Sequence, residues 1–122
     1  MDFSVSMTVY GKDDPQYFQI ALESVLEQTV KPTEVVLVVD GPVPESTSQV
    51  IKTMEDKYRN LKVFRPEKNV GHGNARRKAL QECSCEIVAV MDSDDISVPD
   101  RFEKELRIFE SDGDISVVGG YI

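Results

Sequence analysis

The sequence has few cysteines, few basic residues and no long hydrophobic run, and each shortage excludes a class of protein. The only two cysteines, Cys83 and Cys85, lack the Cys-x-x-Cys spacing of redox and zinc motifs. A disulfide between such near neighbours would be strained, so we expect two free thiols in a reducing cytoplasm. The 14 basic and 22 acidic residues give a net charge of −8, which argues against nucleic acid as the partner. No apolar run approaches the roughly 20 residues of a transmembrane helix, so we expect no transmembrane segment in this chain.

The remaining composition, 122 residues with 40% hydrophobic, fits one globular domain in which strand and helix patterns alternate. Short apolar runs predict five strands, at residues 4–10, 35–39, 61–64, 87–91 and 115–121. Helical patterns fill the intervals. The alternation predicts an α/β fold with three layers, in which helices cover both faces of a mostly parallel, Rossmann-like sheet.

Individual residues define the predicted helices. Asp13 and Asp14 before Pro15 predict the N-terminus of the first helix. Apolar residues at helical spacing predict its buried face: Phe18, Ala21, Leu22, Val25 and Leu26. The second helix is marked by Val50, Ile51, Met54 and Tyr58. The third is predicted to begin with Asn74 as its cap and to face inward with Ala75, Ala79, Leu80 and Cys83. The fourth carries Phe102, Leu106 and Phe109.

The chain ends on an apolar, strand-like stretch, Gly119-Gly120-Tyr121-Ile122. Domains usually end in a polar tail or in an element that is held down. We therefore expect that the 122 residues form a single domain whose parent protein continues beyond Ile122. The alternative is a complete small domain whose last strand is an edge strand. An exposed final strand could also pair with a second copy, which would make a homodimer.

Acidic side chains follow several of the predicted strands. In an open parallel sheet, ligands bind beyond the carboxyl ends of the strands. Asp40 ends the second strand, and Asp92-Ser93-Asp94-Asp95 follows the fourth. Residues i and i+2 of an extended segment point the same way, so Asp92 and Asp94 can share one target. Carboxylates this close repel unless a cation lies between them, and oxygen ligands suit Mg²⁺ or Mn²⁺. The segment therefore predicts a divalent cation site.

Each of these residues also has a purely structural interpretation. The aspartates after the fourth strand could form a solvated turn that caps the next helix. Asp40 could be a turn residue before Gly41-Pro42, and Tyr10 could be a strand-end aromatic rather than a platform for a base. The basic residues Arg76, Arg77 and Lys78 could bind an anion near a helix start or form an ordinary exposed face. His72 fits a loop residue better than a metal ligand.

Together these segments resemble the N-terminal, nucleotide-binding half of a family-2 glycosyltransferase with the GT-A fold, over essentially all 122 residues. The segments that carry the resemblance are residues 6–10, 21–29 and 34–41, the stretch Asn69-Val70-Gly71-His72-Gly73-Asn74-Ala75-Arg76, and Asp92-Ser93-Asp94-Asp95. One departure is Gly11, where the family usually has asparagine after the tyrosine.

The resemblance implies a role for each matching residue. Thr8 and Tyr10 would line the nucleotide base, and Asp40 would hold it, commonly as uracil. Asn69 and Ser93 would belong to the nucleotide site, and Arg76 would lie near the diphosphate. Asp92-Ser93-Asp94 matches the family's D-x-D motif, with Asp94 as a ligand of Mn²⁺ or Mg²⁺ and Asp92 on the ribose or the metal.

The resemblance also implies the reaction, which is transfer of a sugar from a UDP-linked donor to an acceptor hydroxyl with inversion. The acceptor would be a carbohydrate or a lipid-linked sugar, as in polysaccharide biosynthesis. A carboxylate downstream would act as the base, and no position of this sequence matches it. We expect a cytoplasmic protein whose parent acts at the inner face of the membrane, and little or no transfer by this chain alone. The alternative is a non-catalytic nucleotide-binding or interaction module of the same fold.

Overall fold

The predicted alternation of strands and helices is confirmed in a computed structural model. It describes residues 2–65, 72–93, 96, 97, 99–104 and 107, and only the backbone of residues 72 and 73. The elements in chain order are β1 (Ser4–Tyr10), α1 (Pro15–Leu26), β2 (Glu34–Asp40), α2 (Glu45–Lys57), β3 (Leu61–Phe64), α3 (His72–Glu82) and β4 (Val88–Met91). Residues 101–104 are also helical. The predicted strand at 115–121, with Leu106 and Phe109, lies outside the described residues.

The four described strands form one parallel sheet in the order β3-β2-β1-β4. The chain moves outward from β1 to β3 and then returns to the other side of β1 for β4. The strand order therefore reverses between β1 and β4. In open parallel sheets, the crevice at the carboxyl ends of the strands beside such a reversal is where ligands bind.

Helices cover both faces of this sheet, which confirms the three-layer prediction. Alternate residues of a strand point to opposite faces. One face packs against α1 and α2 through a large apolar cluster that contains Val5, Met7, Val9, Val35, Leu37 and Val39. The other face packs against α3, where Val36 and Val38 meet Ala75 and Ala79. Side chains of even-numbered β1 and β2 residues therefore lie on the α3 face.

Helix α1 begins and packs as its sequence predicts. The Asp14 side chain accepts hydrogen bonds from the backbone N–H groups of Gln16 (2.8 Å) and Tyr17 (3.2 Å), and Pro15 is the first helical residue. All five apolar residues of the predicted face are buried. A cap of this kind stabilises a helix by about 1 kcal/mol, and it fixes the point at which the chain turns away from the end of β1.

Several predicted boundaries and one buried position were wrong. Strand β2 runs from Glu34 to Asp40 rather than over residues 35–39. Helix α3 begins at His72, two residues before the predicted cap at Asn74, and β4 begins at Val88 rather than at residue 87. Leu80 is 45% exposed although it was predicted to face inward. Ala75 and Ala79 face the sheet and so determine which side of α3 is buried. Leu80 lies about 100° around the helix from Ala79 and therefore points away from that side.

The segment after β4 is held against α1 by buried hydrogen bonds. The backbone N–H of Ser97 donates to Ser24 Oγ (2.9 Å), and that of Phe102 donates to Gln28 Oε1 (3.1 Å). The Phe102 ring packs edge-on against Phe3, with 5.0 Å between the ring centroids. Within the described part of the chain, none of the helices combines the length and hydrophobicity that crossing a bilayer demands.

Candidate functional site

The strand register brings several predicted site residues to one place. Tyr10 and Asp40 are register partners at the ends of β1 and β2. Met7 is paired with Met91, the last residue of β4, so Asp92 follows beside Thr8. Adjacent strands lie about 4.8 Å apart. By the alternation of side chains, Thr8, Tyr10 and Asp40 all belong to the α3 face, at the carboxyl end of the sheet.

Helix α3 adds a cation to this group. The Arg76 Nη2 donates a hydrogen bond to Asp92 Oδ1 and forms an ion pair with it. Both side chains are close to half exposed, Arg76 at 43% and Asp92 at 46%. We call Thr8, Tyr10, Asp40, Arg76 and Asp92 the candidate donor site. The structure thus brings together, beside the reversal of strand order, five predicted residues from four separate segments of the sequence.

The residues of this site differ in their accessibility. Thr8 and Asp40 are both 6% exposed, whereas Tyr10 is 38% exposed and presents its ring at the rim. Gly41 follows Asp40 with a φ of 80°, a left-handed conformation that glycine adopts without strain. Asp40 therefore does precede a tight turn, as its structural interpretation requires, and it is also a buried carboxylate next to the tyrosine. The roles assigned to these residues stay predictions.

The two aspartates after β1 have local structural roles. The Asp13 carboxylate accepts from the backbone N–H of Tyr10 (2.9 Å), and the Asp13 N–H donates to the Tyr10 carbonyl (3.1 Å). Asp14 caps α1. Both carboxylates thus close the turn that carries Tyr10 to the rim.

Gly11 lies at a close approach between the loops after β1 and β2. A Cβ atom placed on Gly11 would be 2.8 Å from the carbonyl oxygen of Pro42. Any side chain at this position would force the backbone of one loop to shift. The departure at Gly11 from the family's usual asparagine therefore has a steric reason in this chain.

The described residues fit part of a divalent cation site. Asp92 offers carboxylate oxygens at a half-exposed position, and Mg²⁺ commonly takes one or two carboxylates together with water and phosphate oxygens. Among the residues that the structure describes, no group of three His, Cys, Asp or Glu converges on one point. The second predicted ligand, Asp94, lies outside those residues, as do Asp95 and Asn69. Ser93 follows Asp92 and is half-buried.

A second polar cluster, at the amino ends of the strands, was not predicted. Glu34 is 2% exposed. It accepts hydrogen bonds from Ser4 Oγ (2.5 Å), Lys62 Nζ (2.8 Å) and both the N–H (2.5 Å) and hydroxyl (2.8 Å) of Ser84. Burial alone would raise the pKa of Glu34, but the hydrogen bonds from Lys62, Ser4 and Ser84 lower it to about 2. The only sequence signal for this cluster is a charged residue at the start of a wholly apolar strand.

The cysteines and a cavity lie near Glu34, at the opposite edge of the sheet from the candidate donor site. Cys83 and Cys85 are both free thiols, as expected. Burial and the nearby Glu34 carboxylate raise the pKa of Cys83 to about 11. A cavity of about 490 Å³ is lined by Asp2, Thr33, Ser84, Cys85, Glu86 and Ile87. These features stabilise or line the far edge, and none of them contributes to the predicted site.

The fold and the placement of the site define an α/β domain of the kind that binds nucleotides at a reversal of strand order. The family model for glycosyl transferase family 2 matches residues 4–122. The chain therefore belongs to glycosyl transferase family 2.

Curated relatives are similar over nearly the whole chain. It is 40% identical over 123 residues to the amylovoran biosynthesis glycosyltransferase AmsE of Erwinia amylovora, covering 98% of this chain and 45% of that protein. It is 38% identical over 120 residues to an Escherichia coli UDP-Gal:alpha-D-GlcNAc-diphosphoundecaprenol beta-1,3-galactosyltransferase, covering 98% of this chain and 43% of that protein. The chain thus spans less than half the length of these two relatives.

Solved structures confirm the predicted GT-A fold. S. aureus TarS 1–349 in complex with UDP-GlcNAc matches with a TM-score of 0.77 and 30% identity, over 91% of this chain and 32% of that one. The complex of the same protein with UDP matches with the same TM-score and coverage.

Proposed function

We propose that this chain carries the nucleotide-sugar-binding part of a metal-dependent, inverting glycosyltransferase whose donor is a UDP-sugar. The observation that carries the proposal is the ion pair between Arg76 and Asp92. The pair joins Arg76, which is proposed to bind the diphosphate, to Asp92, which is proposed to be the first carboxylate of a D-x-D motif, beside the reversal of strand order. Family membership and the UDP and UDP-GlcNAc complexes of TarS support the same donor class.

The proposed role of each residue follows from how deeply its side chain is buried. Tyr10, exposed at the rim, stacks on the base, and the buried Asp40 accepts from its polar edge. Thr8 forms the floor between β2 and β4. Asn69 and Ser93 complete the nucleotide site. The guanidinium of Arg76 donates to diphosphate oxygens, where charge-assisted hydrogen bonds are strong.

The proposed cofactor is Mn²⁺ or Mg²⁺, held by Asp92 and Asp94. When bound, the metal would supply positive charge to a leaving diphosphate. A domain of net charge −8 repels a diphosphate at long range. Arg76 offsets this repulsion at the site, where the packing of α3 on the sheet holds it beside Asp92 before a donor arrives.

The acceptor is proposed to be a carbohydrate, either polysaccharide or lipid-linked. The Escherichia coli relative is named for an acceptor carried on diphosphoundecaprenol, and the Erwinia amylovora relative for amylovoran biosynthesis. A cytoplasmic location for the parent protein is part of the same proposal. No residue of this chain is assigned as the catalytic base, so this chain alone is proposed to bind donor and metal with little or no transfer.

Thermal unfolding tests the proposal. Mn²⁺ with UDP should raise the melting temperature, because a ligand at a hundred times its Kd stabilises the folded state by about 2.7 kcal/mol. Asp94→Ala should remove this shift, whereas Asp56→Ala, an exposed control on α2, should retain it. No shift with UDP, ADP, GDP or CDP would contradict the proposal and favour the non-catalytic interaction module.

A further inference from the structure

Arg101 is a buried cation that joins the two ends of the loop after β4. Arg101 is the first residue of the helical turn at residues 101–104 and is 7% exposed. The Nη1 atom donates to Met91 Sδ (2.7 Å) and to Ser97 Oγ (3.1 Å). Met91 is the last residue of β4. Arg101 therefore bridges the point where the chain leaves the sheet and the point where it returns to the protein core.

Both bridged points are themselves fixed. Met91 is paired with Met7 of β1 in the sheet, and the Ser97 N–H donates to Ser24 Oγ on α1. The chain between them has only five residues, 92–96. Because Asp92 directly follows Met91, a change in the position of Met91 alters the direction in which Asp92 leaves the sheet.

This loop is also rich in negative charge. Its sequence, Asp92-Ser93-Asp94-Asp95-Ile96, contains three carboxylates in five residues. Like charges so close in sequence repel one another unless positive charge lies nearby. The buried guanidinium of Arg101 supplies positive charge beside Met91, the residue that precedes Asp92, through the hydrogen bond from its Nη1 atom. Arg76 contacts Asp92 from α3, so cations flank the loop from two directions.

We propose that Arg101 is a positioning residue for the candidate donor site, which holds Met91 and Ser97 together and thereby fixes the geometry of Asp92 for metal and diphosphate. The proposal rests on the proposed function, since it concerns the same site. Arg101 is not assigned any contact with the donor.

Binding measurements on the 122-residue chain test this role. Arg101→Lys retains the charge but replaces the guanidinium with an ammonium on a shorter side chain, which ends closer to the backbone than the Nη1 atom that contacts both Met91 and Ser97. We expect Mn²⁺-dependent UDP affinity to fall about tenfold, the scale seen when groups that orient a metal ligand are lost. Arg107→Lys is the matched control, because the Arg107 side chain is 72% exposed, and it should bind UDP like the parent. Circular dichroism and melting temperature report whether each variant is folded.

A double variant distinguishes positioning from general destabilisation. If Arg101 acts through Asp92, then Arg101→Lys should cost little further affinity in an Asp92→Asn background, because effects of coupled residues are not additive. Full additivity of the two losses would overturn the proposal. If Arg101→Lys fails to fold, Ser97→Ala is a smaller change that removes the hydrogen bond between Arg101 and Ser97. Unchanged UDP affinity in that folded variant would overturn the proposal.

The two proposals fail in different ways. A parent chain that binds UDP with Mn²⁺, together with a folded Arg101→Lys variant that binds equally well, would overturn only the role of Arg101. A parent chain that binds no UDP in the presence of Mn²⁺ would overturn the proposed function, and the role of Arg101 with it.

Discussion

Arg76 on α3 and Asp92 after β4 form an ion pair although 16 positions separate them in the sequence. The pair connects the helix that covers one face of the sheet to the strand at which the strand order reverses. Because α3 packs on β2 through Ala75 and Ala79, the position of Arg76 is set by apolar packing rather than by the ion pair. The packing of α3 therefore holds the Arg76 guanidinium at the site, and β4 brings the Asp92 carboxylate next to it.

Replacing Arg76 should weaken donor binding with little effect on stability. An ion pair between two half-exposed side chains contributes about 0–1 kcal/mol to folding, so Arg76→Gln should barely change the melting temperature. Loss of a charge-assisted hydrogen bond to the diphosphate, about 1.5–3 kcal/mol, should lower UDP affinity at least about tenfold. Arg77→Gln, on the exposed side of α3, is the control. Equal affinities for parent and Arg76→Gln, measured by calorimetry, would remove Arg76 from the site.

Asp40→Asn should reduce nucleotide binding selectively. The substitution preserves size but replaces an acceptor that is 6% exposed with a neutral amide. We expect UDP affinity to fall about tenfold, equivalent to about 1.4 kcal/mol, and the preference for uracil over other bases to narrow. Competition of UDP against CDP, GDP and ADP measures both effects. An unchanged order of preference and affinity would show that Asp40 is only the turn residue before Gly41.

Gly11→Ala should destabilise the loops at the rim. The new Cβ would lie 2.8 Å from the Pro42 carbonyl oxygen, and relief of such overpacking commonly costs about 1–3 kcal/mol. Denaturant unfolding of Gly11→Ala against Lys12→Ala, an exposed neighbour, measures the cost. A variant as stable as the control would mean that the two loops separate freely.

The Glu34 cluster should make stability sensitive to acid. Glu34 has its pKa lowered from 4.5 to about 2 because, although burial opposes ionisation, hydrogen bonds to its carboxylate more than compensate. A lowered native pKa stabilises the fold above the unfolded value, and this contribution is lost as the pH falls from about 4.5 to about 2.

A pair of variants isolates this contribution. Glu34→Gln should be less stable than the parent at pH 7 and should lose less stability on acidification, as followed by urea unfolding across that pH range. Glu86→Gln, an exposed residue at the same edge, should behave like the parent. Parallel pH profiles for the parent and Glu34→Gln would contradict the lowered pKa.

Much of the fold could be predicted because its signals are local. The cap at Asp14 and the spacing of Phe18, Ala21 and Leu22 specify α1 without reference to the rest of the chain. Helix α3 was less predictable, because glycine and histidine near its start suggest a loop. Its true start and its inward face depend on the fit of Ala75 and Ala79 against β2, which is tertiary packing that periodicity alone does not contain.

The candidate donor site was predictable only where residues follow strands. Asp40 and Asp92 were found because parallel strands bring their carboxyl ends to one edge. The contact between Asp92 and Arg76 and the bridge made by Arg101 depend on side-chain placement between distant segments. Glu34 was missed for the same reason, since its partners come from three separate parts of the chain.

Calorimetric titration of UDP into the 122-residue chain, with Mn²⁺ and again with EDTA, measures whether nucleotide binding depends on a metal. We expect saturable binding with Mn²⁺, at least about tenfold weaker binding with EDTA, and loss of the difference in Asp92→Asn. Binding of equal strength in both conditions, or no binding in either, would contradict the claim that the carboxylates after β4 hold a metal for a nucleotide-sugar donor.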